Sequence, residues 1–445
     1  MAPLHPTSFA PAEFARRRQQ LMAAMEPGAI AIVPSAPPQR RNSDTEYPYR
    51  QSSDFHYLTG FTEPNALLVL APGREEGEYL LLCRPRNPER EQWDGVRVGP
   101  ERAPEVLGCD QAFTIDEADA LLPRILSGRT AVYCTLGASA EFDQRLVRWL
   151  DQVRATTRSG AEPPSRIIAL EQSLHEMRLV KSTAEQTQMR RAGAISAEAH
   201  RRAMAACRPG MVEYQLEAEL LYAFNLEGAR APAYPSIVGS GPNSCILHHV
   251  ENNRRMEDGD LVLIDAGCEL DHYAADITRT FPVNGKFSGE QAAIYEIVLA
   301  AQHAAFEAIR PGSAWNAAHD RTVEVITAGL LDLGLLQGEP NELIEREAYK
   351  PFYMHRAGHW LGMDVHDVGR YKQSGDWRTL QAGMALTVEP GIYIAAHLEG
   401  IDPRWHNIGV RIEDDVIVNG SGHDIITENA PKTIDDIEHW MASAR

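Results

Sequence analysis

The sequence predicts a two-domain α/β protein, and three observations carry that reading. The 445-residue chain is longer than one hydrophobic core usually serves. Its first 176 residues alternate short β-rich runs with helical ones. From residue 177 to 445 it reads as a helix–helix–sheet unit that occurs twice.

In the first domain, "AIAIVPS" (29–35), "NALLVLAPG" (65–73), "EYLLLCRP" (78–85) and "TAVYCTL" (130–136) are apolar, β-prone and bounded by turn residues, so each is expected to be a strand. Residues 11–25 and 138–153 carry helical patterns. Together they predict a mixed α/β domain over 1–176. "ATTRSGAEPPSR" (155–166) is rich in turn formers and reads as a linker.

In the second domain the repeat can be followed feature by feature. Ser182 with Glu185 is a capping-box signature, and the helix it opens runs to Arg208-Pro209-Gly210. Ser288 with Gln291 repeats the signature, and that helix runs to Arg310-Pro311-Gly312. A second helix is expected after each R-P-G. "DGDLVLIDAG" then resembles "QAGMALTVEPG". Aligned on Gly259 and Gly383, Asp265 falls on Glu389, and Asp276 finds a counterpart in Glu413 of "GVRIEDDVIV". Four acids, two from each half, are expected where the halves join.

Asp265 and Asp276 lie in "LVLIDAGCELDHYAADITRTF" (261–281), which otherwise reads as an apolar hairpin. Aspartate is depleted in strands, and a buried carboxylate needs a partner. A hairpin centred between Leu270 and Asp271 would set the two aspartates directly opposite, with Cβ atoms roughly 4.5–5.5 Å apart. They would repel unless a cation sat between them. The plainer alternative is that one of them merely caps the turn or pairs with Arg279. Four carboxylates in an apolar site call for about four positive charges, which two divalent cations supply. Oxygen-rich ligation favours Mn²⁺ or Mg²⁺ over Zn²⁺, and an imidazole shifts the choice toward a transition metal. Candidate imidazoles are His355, His359 and His366 in "MHRAGHWLGMDVHDVG".

Composition sets the outer limits. With 43 basic and 62 acidic residues, the net charge of −19 argues against nucleic acid or an anionic membrane as partner. No apolar run approaches the ~18 residues of a membrane helix. The start, "MAPLHPTSFAPAEFARRRQQLMAAM", lacks a signal-type apolar core, so a cytoplasmic protein is expected. Six scattered cysteines form no C-x-x-C and suit a reducing compartment. Cys245, three residues before His248, reads as a buried small hydrophobe in preference to a nucleophile. There is no G-x-S-x-G elbow and no P-loop, and "GSGPNS" (239–244) reads as a tight turn lining a cleft.

These motifs in this order resemble those of the Xaa-Pro aminopeptidases (aminopeptidase P) of bacterial type, in the metallopeptidase family with the pita-bread fold. "SDTEYPYRQSSDFHYLTGFTEPNALLVL" resembles the family's N-terminal signature. "GARAPAYPSIVGSG", "NSCILHH", "DGDLVLIDAGCE", "ADITRTFPVNGKF", "GHWLGMDVHDVG", "LTVEPGIYI" and "RIEDD" resemble its catalytic motifs. The resemblance implies an N-terminal domain of creatinase/aminopeptidase P type over 1–176 and a pseudo-twofold pita-bread domain over 177–445. It implies two divalent ions, most often Mn²⁺, held by Asp265, Asp276, His359, Glu389 and Glu413. A metal-bridging hydroxide would attack the peptide, with Glu389 shuttling its proton, His248 and His366 stabilising the oxyanion, and Arg411 ordering the site. His355, Tyr234, Tyr371, Arg378 and Tyr393 would line the proline end. Trp93 and Asp44 would reach the substrate from the first domain. The implied substrates are peptides with proline second, cut after the first residue, by a homo-oligomer (dimer or tetramer). The loop "AAHLEGIDPRWHN" (395–407) departs from the bacterial pattern and is expected to reshape the leaving-peptide side. Two other readings stand beside this one: a prolidase restricted to Xaa-Pro dipeptides, and a non-catalytic pita-bread binding protein, which would have lost metal ligands.

Overall fold

The computed structural model describes residues 8–444, so the first seven residues of the segment read for a signal lie outside it. The chain divides into two compact units, Met1–Glu176 and Met177–Arg445.

The first unit is built on a six-stranded sheet in the order Gln111–Thr114, Tyr79–Cys83, Leu67–Leu70, Ile30–Pro34, Ala131–Cys134, Arg166–Ala169. Only the Leu67–Leu70 strand runs against the others. The four central strands are the apolar runs of the sequence. Ile30, Ile32, Leu67, Val69, Leu80 and Leu82 pack on Leu122, Leu126, Leu146, Trp149 and Leu150 of the helices Ala118–Leu126 and Ala140–Ala155. Near-continuous hydrophobic runs are what strands covered on both faces require. The two edge strands are half-buried or exposed and lack that signal. Residues 155–166 are therefore no linker. They carry the chain from the end of a helix to the edge strand Arg166–Ala169, and their turn formers serve that short connection.

The second unit repeats itself as expected. The helices Thr183–Ala206 and Gly289–Ala308 open on reciprocal capping boxes: Ser182 N donates to Glu185 Oε2 (2.9 Å), and Ser288 N donates to Gln291 Oε1 (2.9 Å). Each box satisfies two otherwise orphaned amides, and an N-cap is worth about 1 kcal/mol. After each R-P-G the chain turns on a glycine of positive φ, 90° at Gly210 and 89° at Gly312. A second helix follows, Glu213–Leu226 and Ala317–Asp332. The strands Ile237–Ser240, Leu261–Asp265 and Thr278–Pro282 form one three-stranded sheet. Ala385–Val388, Asp414–Val418 and His423–Ile425 form its counterpart.

The hairpin differs from the sequence reading in its register. Its loop is Asp271-His272, both at positive φ (51° and 68°), and Leu270 pairs with Tyr273. Two αL residues make a type I′ turn, whose twist suits a two-residue hairpin. The centre thus lies one residue later than expected, and Asp265 stands opposite Thr278 instead of Asp276. Asp276 falls in a break between two ladders, beside Gly267. A Cβ at Gly267 would come within 1.7 Å of the Ala275 carbonyl oxygen, so only glycine lets the strands cross there. The predicted face-to-face pair of acids occurs in the other half. Val388 pairs with Asp414 and Gly391 with Arg411 in one continuous register, which sets Glu389 opposite Glu413.

Hydrogen bonds stitch the two halves together. Glu413 N donates to Thr278 O (3.0 Å), and the Thr280 hydroxyl donates to Arg411 O (3.0 Å). Arg279 is fully buried; it donates to Glu413 O (2.6 Å) and pairs with Asp414 Oδ1 (2.7 Å). That settles the alternative raised for Arg279: its partner is neither Asp265 nor Asp276.

Candidate metal centre and active site

Where the two halves meet, a cavity of about 980 Å³ opens. Asp265, Asp276, His359, Glu389 and Glu413 all line it, with His248, His355, His366, Tyr234, Tyr371 and Arg411. Asp265 is the last residue of its strand, and Glu389 directly follows the matching strand of the other half. Glu413 immediately precedes Asp414–Val418. The repeat therefore brings both pairs of acids to one place.

Asp276, His359 and Glu413 each offer one ligand atom, and these atoms lie within 4.8 Å of one another. His359 Nδ1 faces the Trp360 carbonyl oxygen (3.0 Å). A carbonyl only accepts, so Nδ1 carries the proton and Nε2 is turned to the acids, 3.4 Å from Asp276 and 3.6 Å from Glu389. Ligating histidines are commonly fixed in this way. Asp265 joins through the Tyr234 hydroxyl (2.6 Å), which also contacts Asp276, and through Arg411 Nη2 (2.7 Å). Glu413 accepts from the Thr278 hydroxyl (2.6 Å).

The electrostatics are those of crowded acids. Burial and then Asp265 raise the pKa of Asp276. Burial and then Asp276 push Glu413 well up. Burial lifts Glu389 to about 7 despite His359 and Arg411. Burial alone would depress His359, but Asp276 and Glu389 more than reverse this and raise it to about 9. Such a cluster is short of positive charge. Carboxylates with one properly presented imidazole form a donor set that fits divalent metal.

The remaining candidates divide into those on the wall and those behind it. His248 is exposed to the cavity, and the His366 ring lies 4.3 Å from that of His359. Burial lowers His355 to about 3; its Nε2 lies 2.8 Å from the Tyr393 hydroxyl, which also accepts from Arg411 Nη1 (2.9 Å). Tyr393 and Arg378 are both buried and are not among the residues lining the cavity; Tyr393 instead holds His355 and Arg411 from behind. Tyr234 reaches the acids themselves, closer to the chemistry than the proline end expected for it. Tyr371 stacks on Trp360 at 5.6 Å, and its hydroxyl accepts from Trp360 N (3.2 Å). Asp44 and Trp93 belong to the first unit and are exposed, Trp93 by 82%. No residue of 395–407 lines the cavity, and Trp405 of that loop is buried in the core. Cys245 is half-buried, with its thiol pushed up to about 11 by burial.

Sequence reasoning missed Trp315 and Trp377 on the cavity wall and Thr278 beneath it. The tryptophans carry no local signal. Thr278 carried one: two residues after Asp276 in a strand-like run, it was placed to share that residue's face.

A fold of two like halves around a buried acid–imidazole cluster defines the class, a metallopeptidase. Residues 187–420 match metallopeptidase family M24, and residues 14–133 match the aminopeptidase P N-terminal domain. The chain belongs to this family, among its Xaa-Pro aminopeptidases. It is 47% identical to the Xaa-Pro aminopeptidase of Escherichia coli, over 97% of this chain and 98% of that protein. It is 34% identical to human Xaa-Pro aminopeptidase 3, over 97% of this chain and 86% of that protein. The solved structure of Pseudomonas aeruginosa aminopeptidase PepP superposes with a TM-score of 0.97 at 57% identity, covering 98% of this chain and 99% of that one.

Proposed function

We propose that the protein releases the N-terminal residue from peptides with proline in the second position, as a metallo-aminopeptidase with two divalent ions, most favourably Mn²⁺. One observation carries this reading: five side chains of metal-ligating type, from both halves, line one cavity with three further histidines. The relatives point the same way, since one E. coli aminopeptidase P structure is a complex with the inhibitor Pro-Leu and another is a zinc-substituted complex with product.

Asp265, Asp276, His359, Glu389 and Glu413 would hold the ions. When bound, these supply Lewis acidity and bring the pKa of a water toward neutrality. Hydrolysis then leaves the chain two tasks. The carbonyl oxygen gains negative charge, and His248 and His366, both on the cavity wall, would donate to it. The proline nitrogen has no hydrogen of its own and must acquire one to depart. Glu389, a half-buried carboxylate of the cluster, would accept a proton from water and return it to that nitrogen. Arg411 holds Asp265 (2.7 Å) and, through Tyr393, steadies His355. Tyr371, Trp315 and Trp377 offer an aromatic wall for the proline ring. Cysteines that form no disulfide among the described residues suit the cytoplasm, and a dimer or tetramer is carried over from the family resemblance.

The test is cleavage by Mn²⁺-loaded protein of an Xaa-Pro dipeptide, Xaa-Pro tri- and pentapeptides, and matched Xaa-Ala peptides. The proposal expects the first residue to be released from the longer Xaa-Pro substrates alone. Cleavage of the dipeptide only would favour the prolidase reading, and no cleavage by fully loaded protein would leave a binding protein.

A further inference from the structure

We infer that Glu213 is a positioning residue for His248, acting through a buried clamp on the loop that carries it; the inference rests on the peptidase reading above. Glu213 opens the helix Glu213–Leu226 and is 0% exposed. Its Oε1 accepts from Ser240 N (2.7 Å), the Ser240 hydroxyl (2.8 Å) and Asn243 Nδ2 (3.1 Å). Its Oε2 accepts from Arg254 N (2.9 Å) and faces His249 Nε2 (3.1 Å). These donors bracket residues 240–254, the loop between the strand Ile237–Ser240 and the return of the chain. His248 sits within it, adjacent to His249.

The residue type matters. Four donors converge on one group with the His249 ring beside it, and a carboxylate is the side chain that only accepts. Burial alone would raise its pKa, but the amides of Arg254 and Ser240 more than offset this and hold it below the usual range. An isosteric amide would turn N–H groups at donors, so Glu213→Gln preserves shape and breaks the clamp. The loop's other flank is fixed separately: Gly409 N donates to Ser244 Oγ (3.0 Å), and a Cβ at Gly409 would lie 2.1 Å from Ser244 O. Releasing Glu213 therefore shifts the loop without freeing it. His248 faces the cavity and its neighbour His249 is pulled into the clamp, so the direction of the one ring is tied to the anchorage of the other.

The test is a double-mutant cycle on the metal-loaded enzyme. Glu213→Gln should lower kcat by roughly 10–100-fold, the scale of a catalytic group displaced by about an ångström. KM and metal content should change little. In a His248→Ala background the same substitution should cost less than about twofold, because the group it positions is already gone. Full kcat in folded Glu213→Gln, or losses that multiply, would overturn the clamp. If Glu213→Gln does not fold, Asn243→Ala takes its place in the cycle, removing one donor and keeping the charge; absence of coupling there overturns the inference equally. A His248→Ala enzyme as fast as wild type would instead sink the peptidase role given to His248, a result the cycle separates from failure of the clamp.

Discussion

Asp265 and Asp276 share one hydroxyl, that of Tyr234, which lies 2.6 Å from Asp265 Oδ1 and in contact with Asp276 Oδ1. One O–H cannot donate to two carboxylates at once, and burial together with the Asp265 charge raises the pKa of Asp276. Metal competes with protons for these ligands, and at His359, whose pKa is raised to about 9, it must displace one. Calorimetric titration with Mn²⁺ near neutral pH, in buffers of different ionisation enthalpy, should register the release of at least one proton per chain. Zero release would contradict this protonation of the cluster.

The same displacement sets a pH dependence. A group whose folded pKa exceeds its unfolded one binds more protons when folded, so stability is lost as pH rises through that interval. Glu389 moves from 4.5 to about 7 and His359 from 6.5 to about 9, both in this sense. Below about pH 6.5, His200, His319 and His355, held down by burial to about 4, 4 and 3, act in the opposite sense. The melting temperature of chelated protein should therefore fall between about pH 7 and pH 9, while Mn²⁺-loaded protein falls less. Parallel curves for the two forms would refute the assignment.

Asp276→Asn keeps the shape and removes one negative charge from the ligand cluster. Metal occupancy and kcat should both drop steeply. Chelation of the wild type should abolish turnover, with Mn²⁺ restoring it best. An Asp276→Asn enzyme with full metal and normal turnover would rule Asp276 out as a ligand.

His248→Ala should separate chemistry from metal binding. Losing one donor to a developing oxyanion costs about 10²–10³ in kcat. KM should move less, since the ground-state carbonyl carries little charge, and metal content should match the wild type. Lost metal, or unchanged kcat, would reassign the residue.

His249 corrects a simpler expectation. Read as the next residue of an extended segment, it should point away from His248, and its replacement by alanine should be nearly silent. It does turn away, but the segment is a tight turn and not a strand, and the ring lies 9% exposed beside Glu213. Its loss should destabilise.

What the sequence disclosed was mostly local or repeated. The capping boxes at Ser182 and Ser288 and the apolar strands of the first unit announce themselves within a few residues. The second half's acids were found because the first half supplied a template. The exact pairing of Asp276 stayed hidden, because the Asp271-His272 turn lacks the usual glycine and the crossing at Gly267 depends on a contact with Ala275. Which aromatics stand on the cavity wall and which behind it, Trp315 and Tyr371 against Tyr393, is decided by packing between distant segments. No short window of sequence records that.

The seam between the halves, Arg279 with Asp414 and Thr280 with Arg411, is made by protein groups alone. Its bonds run through backbone carbonyls and the Asp414 carboxylate, not through the side chains of the ligand cluster's own acids, so a substitution among the ligands leaves this join between the halves chemically intact.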